Sequence, residues 1–194
     1  MTDVLEKARE TIKAHNLVAD DAAVLLMVSG GSDSTALAYL GAALHEAGVI
    51  GPVAMLHVNH QLRGDDSDGD ERFVSSLAEL LHIPLFICSI DIAAEAARSR
   101  ENVEAVARRV RYLAANEALR SMCQHEGCPL SEARIFTAHT ADDRIENFYM
   151  RSIVGTGPGG FRSMRYENGP VVRPLLDATR DELRVFLAAR EAVG

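Results

Sequence analysis

The chain lacks the features of membrane-spanning and disulfide-stabilised proteins. Its 194 residues contain no apolar run of about 18 residues, so no segment is predicted to cross a membrane as a helix. The three cysteines form no CxxC pair, and the N-terminus is charged rather than signal-like, so we expect a cytoplasmic protein. A hydrophobic content of 47% suits one globular domain.

Lysine is also scarce. Lys7 and Lys13 are the only examples, and every later basic residue is arginine. The net charge of −8 argues against indiscriminate nucleic-acid binding. However, residues 1–97 carry 15 acidic and 5 basic side chains, whereas residues 98–194 carry 13 and 15. An arginine-bearing binding face in the second half therefore stays open, beside the simpler interpretation that these arginines cover helix surfaces.

Short apolar runs alternate with helical segments along the chain. Strands are predicted at 22–29, 52–60, 84–92, 133–140 and, more briefly, 171–176. Helices are predicted at 2–16, 35–48, 65–82, 101–127, 141–153 and after a capping box of Thr179 and Glu182. This alternation predicts an α/β fold, an open parallel sheet with helices on both faces. Such sheets bind ligands beyond the carboxyl ends of their strands.

A loop of glycine and serine follows the first predicted strand. It reads SGGSDS and comprises Ser29, Gly30, Gly31, Ser32, Asp33 and Ser34. Adjacent glycines bring backbone N–H groups close to a ligand, and the next helix directs its N-terminus at the same point, which favours a phosphate or pyrophosphate. A carboxylate beside phosphates indicates an intervening Mg²⁺. A Walker A loop is excluded because no lysine follows, and a plain strand–helix turn is the simpler alternative.

A second polar cluster follows the fourth predicted strand. It contains Asp142, Asp143 and Glu146, whose spacing places Asp143 and Glu146 on one helix face. Stabilisation by the helix dipole would explain these acids without a function. The alternative is that they bind Mg²⁺ opposite Asp33. That alternative requires Asp33 and Asp143 to meet at one crevice.

The second predicted strand ends in histidines. His57, Asn59 and His60 lie at the sheet edge where they could flank a nucleotide, although polar residues at strand ends are often merely exposed. A zinc site that includes His139 is a weak alternative, because no cysteine or metal-ligand spacing accompanies it. The pattern of glycines at 155, 157 and 160 matches a dinucleotide fingerprint, but it follows a helix and is interpreted as a loop.

Five ordered motifs resemble those of the tRNA(Ile)-lysidine synthetase family, a branch of the PP-loop ATP pyrophosphatases. They are SGGSDS, HVNHQLR, NVEAVARRVRY, TAHTADDRIEN, and IVGTGPGGF followed by VVRPLL. The chain departs from the family pattern at Asn147, Val154 and Phe161, where the family has threonine, arginine and leucine. The resemblance covers roughly residues 20–190.

The resemblance implies a fold and a reaction. It implies the PP-loop ATPase (adenine nucleotide alpha-hydrolase-like) architecture, with residues 1–194 forming a single catalytic domain without the family's helical tRNA-binding domains. The reaction would ligate free lysine to the wobble cytidine of tRNA(Ile), with ATP cleaved to AMP and pyrophosphate and with Mg²⁺ as cofactor. Another carbonyl substrate, or ATP binding without chemistry, are the alternatives. The sequence leaves the oligomeric state open, with a homodimer as one arrangement.

The resemblance also assigns roles to residues. Nucleotide binding is expected from Ser29, Gly30, Gly31, Ser32, Asp33, Ser34, His57 and Asn59, and metal binding from Asp33, Asp142, Asp143 and Glu146. Catalytic roles are expected for Asp33, Asp143, Glu146 and Arg108. Arg108 and Arg111 share a helix face and are candidates for phosphate or substrate contact, unless Arg108 merely pairs with Glu104.

Overall fold

The structure is a computed structural model that describes residues 3–61, 65–154 and 164–191. Its helices are α1 (Val4–Ala14), α2 (Ser32–Glu46), α3 (Asp65–Leu81), α4 (Ile92–Ser99), α5 (Val103–Glu126), α6 (Ala141–Val154) and α7 (Arg180–Glu191). Its strands are β1 (Val24–Met27), β2 (Val53–Asn59), β3 (Leu85–Ser89), β4 (Arg134–Phe136), β5 (Glu167–Asn168) and β6 (Val171–Val172). Within the described ranges, no helix is both long and apolar enough to span a membrane.

The strands form one sheet in the order β3-β2-β1-β4-β6-β5. All neighbours pair in parallel except β5 and β6, which are antiparallel. The predicted open parallel sheet is therefore confirmed, with a short antiparallel edge that sequence patterning missed. The chain moves outward from β1 to β3 and then crosses to β4, so the order reverses between β1 and β4. This reversal creates the crevice where such folds bind ligands.

The central strand β1 is apolar throughout because helices cover both of its faces. Val24 and Leu26 pack into the larger core with α1, α2, α3 and α7. Leu25 points the other way, into the core formed with α5. Successive strand residues face opposite sides of a sheet, so a strand buried on both sides shows no polar alternation. That explains why the run could be predicted as a strand from its apolar content and short length.

Helices α2 and α4 and strand β4 differ from the predicted elements. Helix α2 begins at Ser32 rather than residue 35, so half of the SGGSDS segment is helical. Helix α4 was not predicted. It begins after Asp91, whose side chain accepts a hydrogen bond from the Ala94 amide at 2.9 Å. Strand β4 ends at Phe136, which leaves the polar segment 137–140 as the connection to α6.

Candidate active site

A cavity of about 540 Å³ opens at the carboxyl ends of β1, β2 and β4. Of the predicted site residues, it is lined by Ser29, Gly31, Ser32, Asp33, Ser34, His57, Asn59 and Asp143. Gly30, Asp142, Glu146 and Arg108 do not line it, although all four belong to the described part of the chain. Residues that sequence reasoning missed also line it, namely Ser67, Asp70 and Thr137. The crevice predicted from the strand order is therefore present.

The SGGSDS segment forms a tight turn into α2. Gly30 has a φ of +96°, a conformation that favours glycine. The Ser34 hydroxyl donates to the Gly31 carbonyl at 2.9 Å and accepts from the Ser29 amide at 3.1 Å. Ser34 therefore shapes the loop, while Gly31, the residue before α2, offers no side-chain cap to the helix. The first amides of α2 are thus left to an anion in the cavity.

The two glycines differ in what surrounds them. A Cβ built on Gly31 would meet only the Ser29 hydroxyl, at 3.9 Å, so the Gly31 backbone faces open space beside the cavity. A Cβ on Gly30 would lie 3.1 Å from Asp70 Oδ1, because α3 packs against this turn. Gly31 is therefore the position where the backbone can approach a ligand, and Gly30 is the position that the turn requires.

The acids from the two strand ends meet at one edge of the cavity. Asp33 Oδ2 lies 3.6 Å from Arg180 Nε, and Asp143 Oδ1 lies 2.5 Å from Arg180 Nη2. Glu146 also binds this guanidinium, at 2.5 Å from Nη1. The predicted convergence of Asp33 and Asp143 is thus found in the structure. The arginine between them was not predicted.

The pKa values of Asp33 and Asp143 are shifted in opposite directions. Burial raises the pKa of Asp33, and the neighbouring Asp143 charge adds to this increase, although Arg180 opposes it. Burial acts in the same direction on Asp143. There, hydrogen bonds from Thr140 and Arg180 outweigh it and lower the pKa. Asp143 is therefore held as a carboxylate in the cavity.

The donor set fits a hard divalent cation that is shared with phosphate oxygens. Mg²⁺ usually takes one or two protein carboxylates and completes its shell with phosphates and water. Asp33 and Asp143 supply such a pair beside the anion-binding turn. No group of three or more metal-ligating side chains occurs within the described ranges, so a metal cage made by the protein alone is not formed there. Asp142 instead accepts the Arg180 amide at 2.9 Å, at the start of α7.

His57 and Asn59 contribute in different ways. Both are 3% exposed. His57 Nδ1 lies 2.9 Å from the Val28 carbonyl, which can only accept, so Nδ1 donates. Nε2 has no partner in the described structure. Asn59 donates to Asp68 and Glu71 of α3 and accepts from the Gln61 amide. Its polar atoms are therefore committed to holding α3 in place.

His60 and His139, the other histidines of the candidate site, form no zinc site in the part of the chain that the structure describes. His60 Nε2 lies 3.4 Å from Arg111, and His139 Nδ1 lies 2.9 Å from the Thr137 hydroxyl. Burial, followed by nearby arginines, lowers the pKa of both histidines. The zinc alternative thus receives no support. The lowered pKa values favour the neutral forms of His60 and His139, and both side chains line the cavity.

Arg108 and Arg111, the two arginines of α5 that were candidates for substrate contact, lie in different surroundings. Arg111 lines the cavity, whereas Arg108 is exposed and its guanidinium lies 5.0 Å from the centre of the Tyr112 ring. Arg108 does not line the cavity, and its catalytic role stays a prediction. No ion pair joins Arg108 to Glu104 among the described side chains. The difference arises because residues three apart on a helix are offset by about 60° around its axis. The glycine pattern at 155–160 lies outside the described residues.

Comparison with protein families agrees with this geometry. A family model described as a PP-loop domain matches residues 2–192. The chain belongs to this family. Solved structures with similar folds include the U34-tRNA thiolase NcsA of Methanococcus maripaludis, with 19% identity, a TM-score of 0.68, and coverage of 97% of this chain and 63% of that one. An NH3-dependent NAD synthetase of Campylobacter jejuni has 15% identity and a TM-score of 0.54, with coverage of 97% and 70%. At these identities the likeness concerns the PP-loop fold alone.

Curated relatives of this PP-loop domain carry the name that the sequence motifs predicted. The tRNA(Ile)-lysidine synthase of Chlorobaculum tepidum is 35% identical over 194 residues, which is 100% of this chain and 56% of the relative. That of Thermus thermophilus is 41% identical over 167 residues, which is 86% of this chain and 30% of the relative. The resemblance stated from the motifs is confirmed. The chain spans only part of the length of these relatives.

Proposed function

We propose that this PP-loop domain ligates lysine to the wobble cytidine of tRNA(Ile) at the expense of ATP. The observation that carries the proposal is the meeting of Asp33 and Asp143 beside the uncapped N-terminus of α2, within one cavity. A pure nucleotide-binding module has little use for two carboxylates at that position. The similarity to tRNA(Ile)-lysidine synthases over this chain supports the choice of substrates.

The first proposed step forms an adenylated base. Cytidine O2 attacks the α-phosphorus of ATP, a new O–P bond forms, and the bond to the bridging oxygen breaks to release pyrophosphate. The backbone around Gly31 and the N-terminus of α2 would hold the departing pyrophosphate. Asp33 and Asp143 would hold Mg²⁺, which neutralises phosphate charge when bound.

The second proposed step installs lysine. The lysine amine attacks C2 of the cytosine ring, the C2–O2 bond breaks, and AMP leaves with that oxygen. Adenylation is needed because a ring carbonyl oxygen is otherwise a poor leaving group. The carboxylates at the cavity edge favour a cationic substrate group nearby, and Arg111 is placed on the cavity wall to meet a phosphate. The target base must leave the anticodon stack to enter this cavity.

The proposal is tested by following the two products separately. With Mg²⁺, γ-labelled ATP to report pyrophosphate and α-labelled ATP to report AMP, we expect pyrophosphate release to require tRNA with cytidine at the wobble position. AMP release should require lysine as well. A matched tRNA with uridine at that position is the control and should give neither product. Pyrophosphate release without tRNA would indicate another carbonyl substrate, and nucleotide binding without any release would indicate a binding module.

Two further expectations, on cellular location and on oligomeric state, accompany this function. An enzyme that acts on tRNA in this way is expected in the cytoplasm, as the cysteine usage also suggested. A homodimer stays a prediction, and sedimentation of the purified chain would test it.

A further inference from the structure

Arg180 is fixed at the cavity edge by its backbone as well as by its side chain. It is the first residue of α7, directly after Thr179, and the Thr179 amide and hydroxyl both donate to Glu182. Its own amide donates to Asp142 at 2.9 Å. The start of α7 is therefore tied to the start of α6, and the guanidinium reaches the acids from a fixed origin.

The Arg180 side chain contacts acids from two helices at once. It lies 3.6 Å from Asp33 of α2, 2.5 Å from Asp143 and 2.5 Å from Glu146 of α6. Without a cation these three carboxylates would repel one another at short range. The planar guanidinium, with several N–H donors, can serve them all. Arg180 thus supplies the positive charge that the cluster needs.

The oxygen atoms of Asp143 show why this contact matters for a metal. Oδ2 accepts from the Thr140 amide at 2.7 Å and from the Thr140 hydroxyl at 3.0 Å. Oδ1 is then the oxygen of Asp143 left for a ligand, and Arg180 Nη2 holds it at 2.5 Å. A divalent cation and the guanidinium therefore need the same atom.

We propose that Arg180 is a displaceable counter-cation, which occupies the carboxylate site in the nucleotide-free protein and must release Asp143 before a divalent cation binds. The inference rests on the proposed function only in taking Asp33 and Asp143 as the metal-binding pair. In this proposal Arg180 is a positioning residue, because its positive charge keeps the acids together and ionised until the metal binds. It also makes metal binding weaker than the carboxylates alone would allow.

The test measures Mn²⁺ binding to the full chain without nucleotide, by electron paramagnetic resonance of the free ion. We expect R180Q to bind Mn²⁺ on the order of tenfold more tightly than the unmodified chain, because a competing unit charge within a few ångströms is removed. R180K keeps the charge without the planar fork and should lie between them. R190Q is the matched control, since Arg190 lies on the same helix but is exposed, with its guanidinium 5.0 Å from the centre of the Phe186 ring.

A second measurement keeps the proposal testable if R180Q folds poorly. Mn²⁺ should raise the thermal unfolding midpoint of R180K by more than it raises that of the unmodified chain and R190Q. Mn²⁺ affinity in R180Q that is equal to or weaker than that of the unmodified chain would overturn the proposal, as would undetectable binding to both. These readouts involve no tRNA or lysine, so failure of the ligase assay leaves them interpretable.

Discussion

The backbone nitrogen of Thr140 lies 2.7 Å from Asp143 Oδ2. The Asp143 carboxylate also accepts a hydrogen bond from the Thr140 hydroxyl, and the Asp143 amide lies 3.4 Å from that hydroxyl. These reciprocal contacts form a capping box at the start of α6. One carboxyl group therefore both starts a helix and faces the cavity. The consequence is that its structural and chemical roles can be separated by an isosteric change.

We expect D143N to abolish pyrophosphate release from ATP while the protein stays folded. The amide can still accept from Thr140, so the loss of stability should be about 1 kcal/mol, whereas the negative charge at Oδ1 is gone. The measurement pairs an ATP–pyrophosphate exchange assay with urea unfolding. D142N, the neighbouring change, should keep most of the activity because Asp142 accepts the Arg180 amide outside the cavity lining. Full exchange in D143N would remove Asp143 from the chemistry.

Gly31 should tolerate a side chain in the folded protein but not in the complex with nucleotide. A Cβ there meets only Ser29 Oγ at 3.9 Å, and the extended backbone (φ −77°, ψ 161°) suits valine. We expect G31V to cost about 1 kcal/mol of stability yet weaken ATP binding by on the order of tenfold or more, because charge-assisted backbone hydrogen bonds are blocked.

S32A is the companion variant for G31V. The exposed Ser32 hydroxyl makes only a 3.4 Å contact with Asp33, so its loss should weaken ATP binding less than the change at Gly31 does. Isothermal titration with ATP compares the two proteins. Equal affinities would contradict the view that backbone amides of this turn hold the phosphates.

Gly51 is a strict steric requirement of the fold. A Cβ at Gly51 would lie 2.0 Å from the Asp21 carbonyl oxygen, which is backbone and cannot move aside cheaply. We expect G51A to lower the free energy of unfolding by about 3 kcal/mol or more. G69A, within α3 and with nothing inside 4 Å of its added Cβ, should instead raise it by up to about 1 kcal/mol. Chemical denaturation of both variants checks the contrast.

Glu182 should give the fold a defined dependence on pH. The Lys7 ammonium at 2.8 Å is the main cause that lowers the pKa of Glu182 below its ordinary value of 4.5, with the Thr179 amide next. The folded protein then binds fewer protons than the unfolded chain, so this contribution is present above the ordinary value and is lost as pH falls through the lowered pKa.

The corresponding measurement is the unfolding free energy of the unmodified chain against E182Q, from neutral to acidic pH. The difference should be largest near neutrality and shrink below about pH 4. D181N serves as the control, because Asp181 lies beside Glu182 but its side chain is largely exposed. A difference that stays constant with pH would mean that the negative charge of Glu182 contributes nothing to stability.

Much of the fold could be predicted because the main signals are local. The buried run that forms β1 and the capping box of Thr179 and Glu182 are visible in a few consecutive letters. The placement of Asp33 and Asp143 at one crevice then followed from the rule that parallel strands present their carboxyl ends at one edge. The short helix α4 was missed because the apolar run of β3 continues into its first residues.

Other parts of the site depend on contacts that no local pattern encodes. Arg180 reaches Asp143 from 37 residues further along the chain, and an arginine at the start of an amphipathic helix looks like any surface charge. Asn59 was expected to touch a nucleotide and lines the cavity, but its hydrogen bonds to Glu71 of α3 and to the Gln61 amide were not predicted. Asp70 faces the cavity only because α3 packs against Gly30. The signal that could have indicated Arg180 is electrostatic, because carboxylates gathered at one edge of a cavity need a cationic partner.

The position of Arg180 in α7, well after the acids that it contacts, has a consequence for synthesis on the ribosome. When the growing polypeptide has emerged only as far as Leu176, all three acids that meet at the crevice are present, but the guanidinium that neutralises them is not. Mutual repulsion of the three carboxylates then opposes the assembly of this edge of the cavity. This edge of the cavity becomes electrostatically complete only when α7 emerges and docks, so its assembly waits for a residue that lies 37 positions after Asp143.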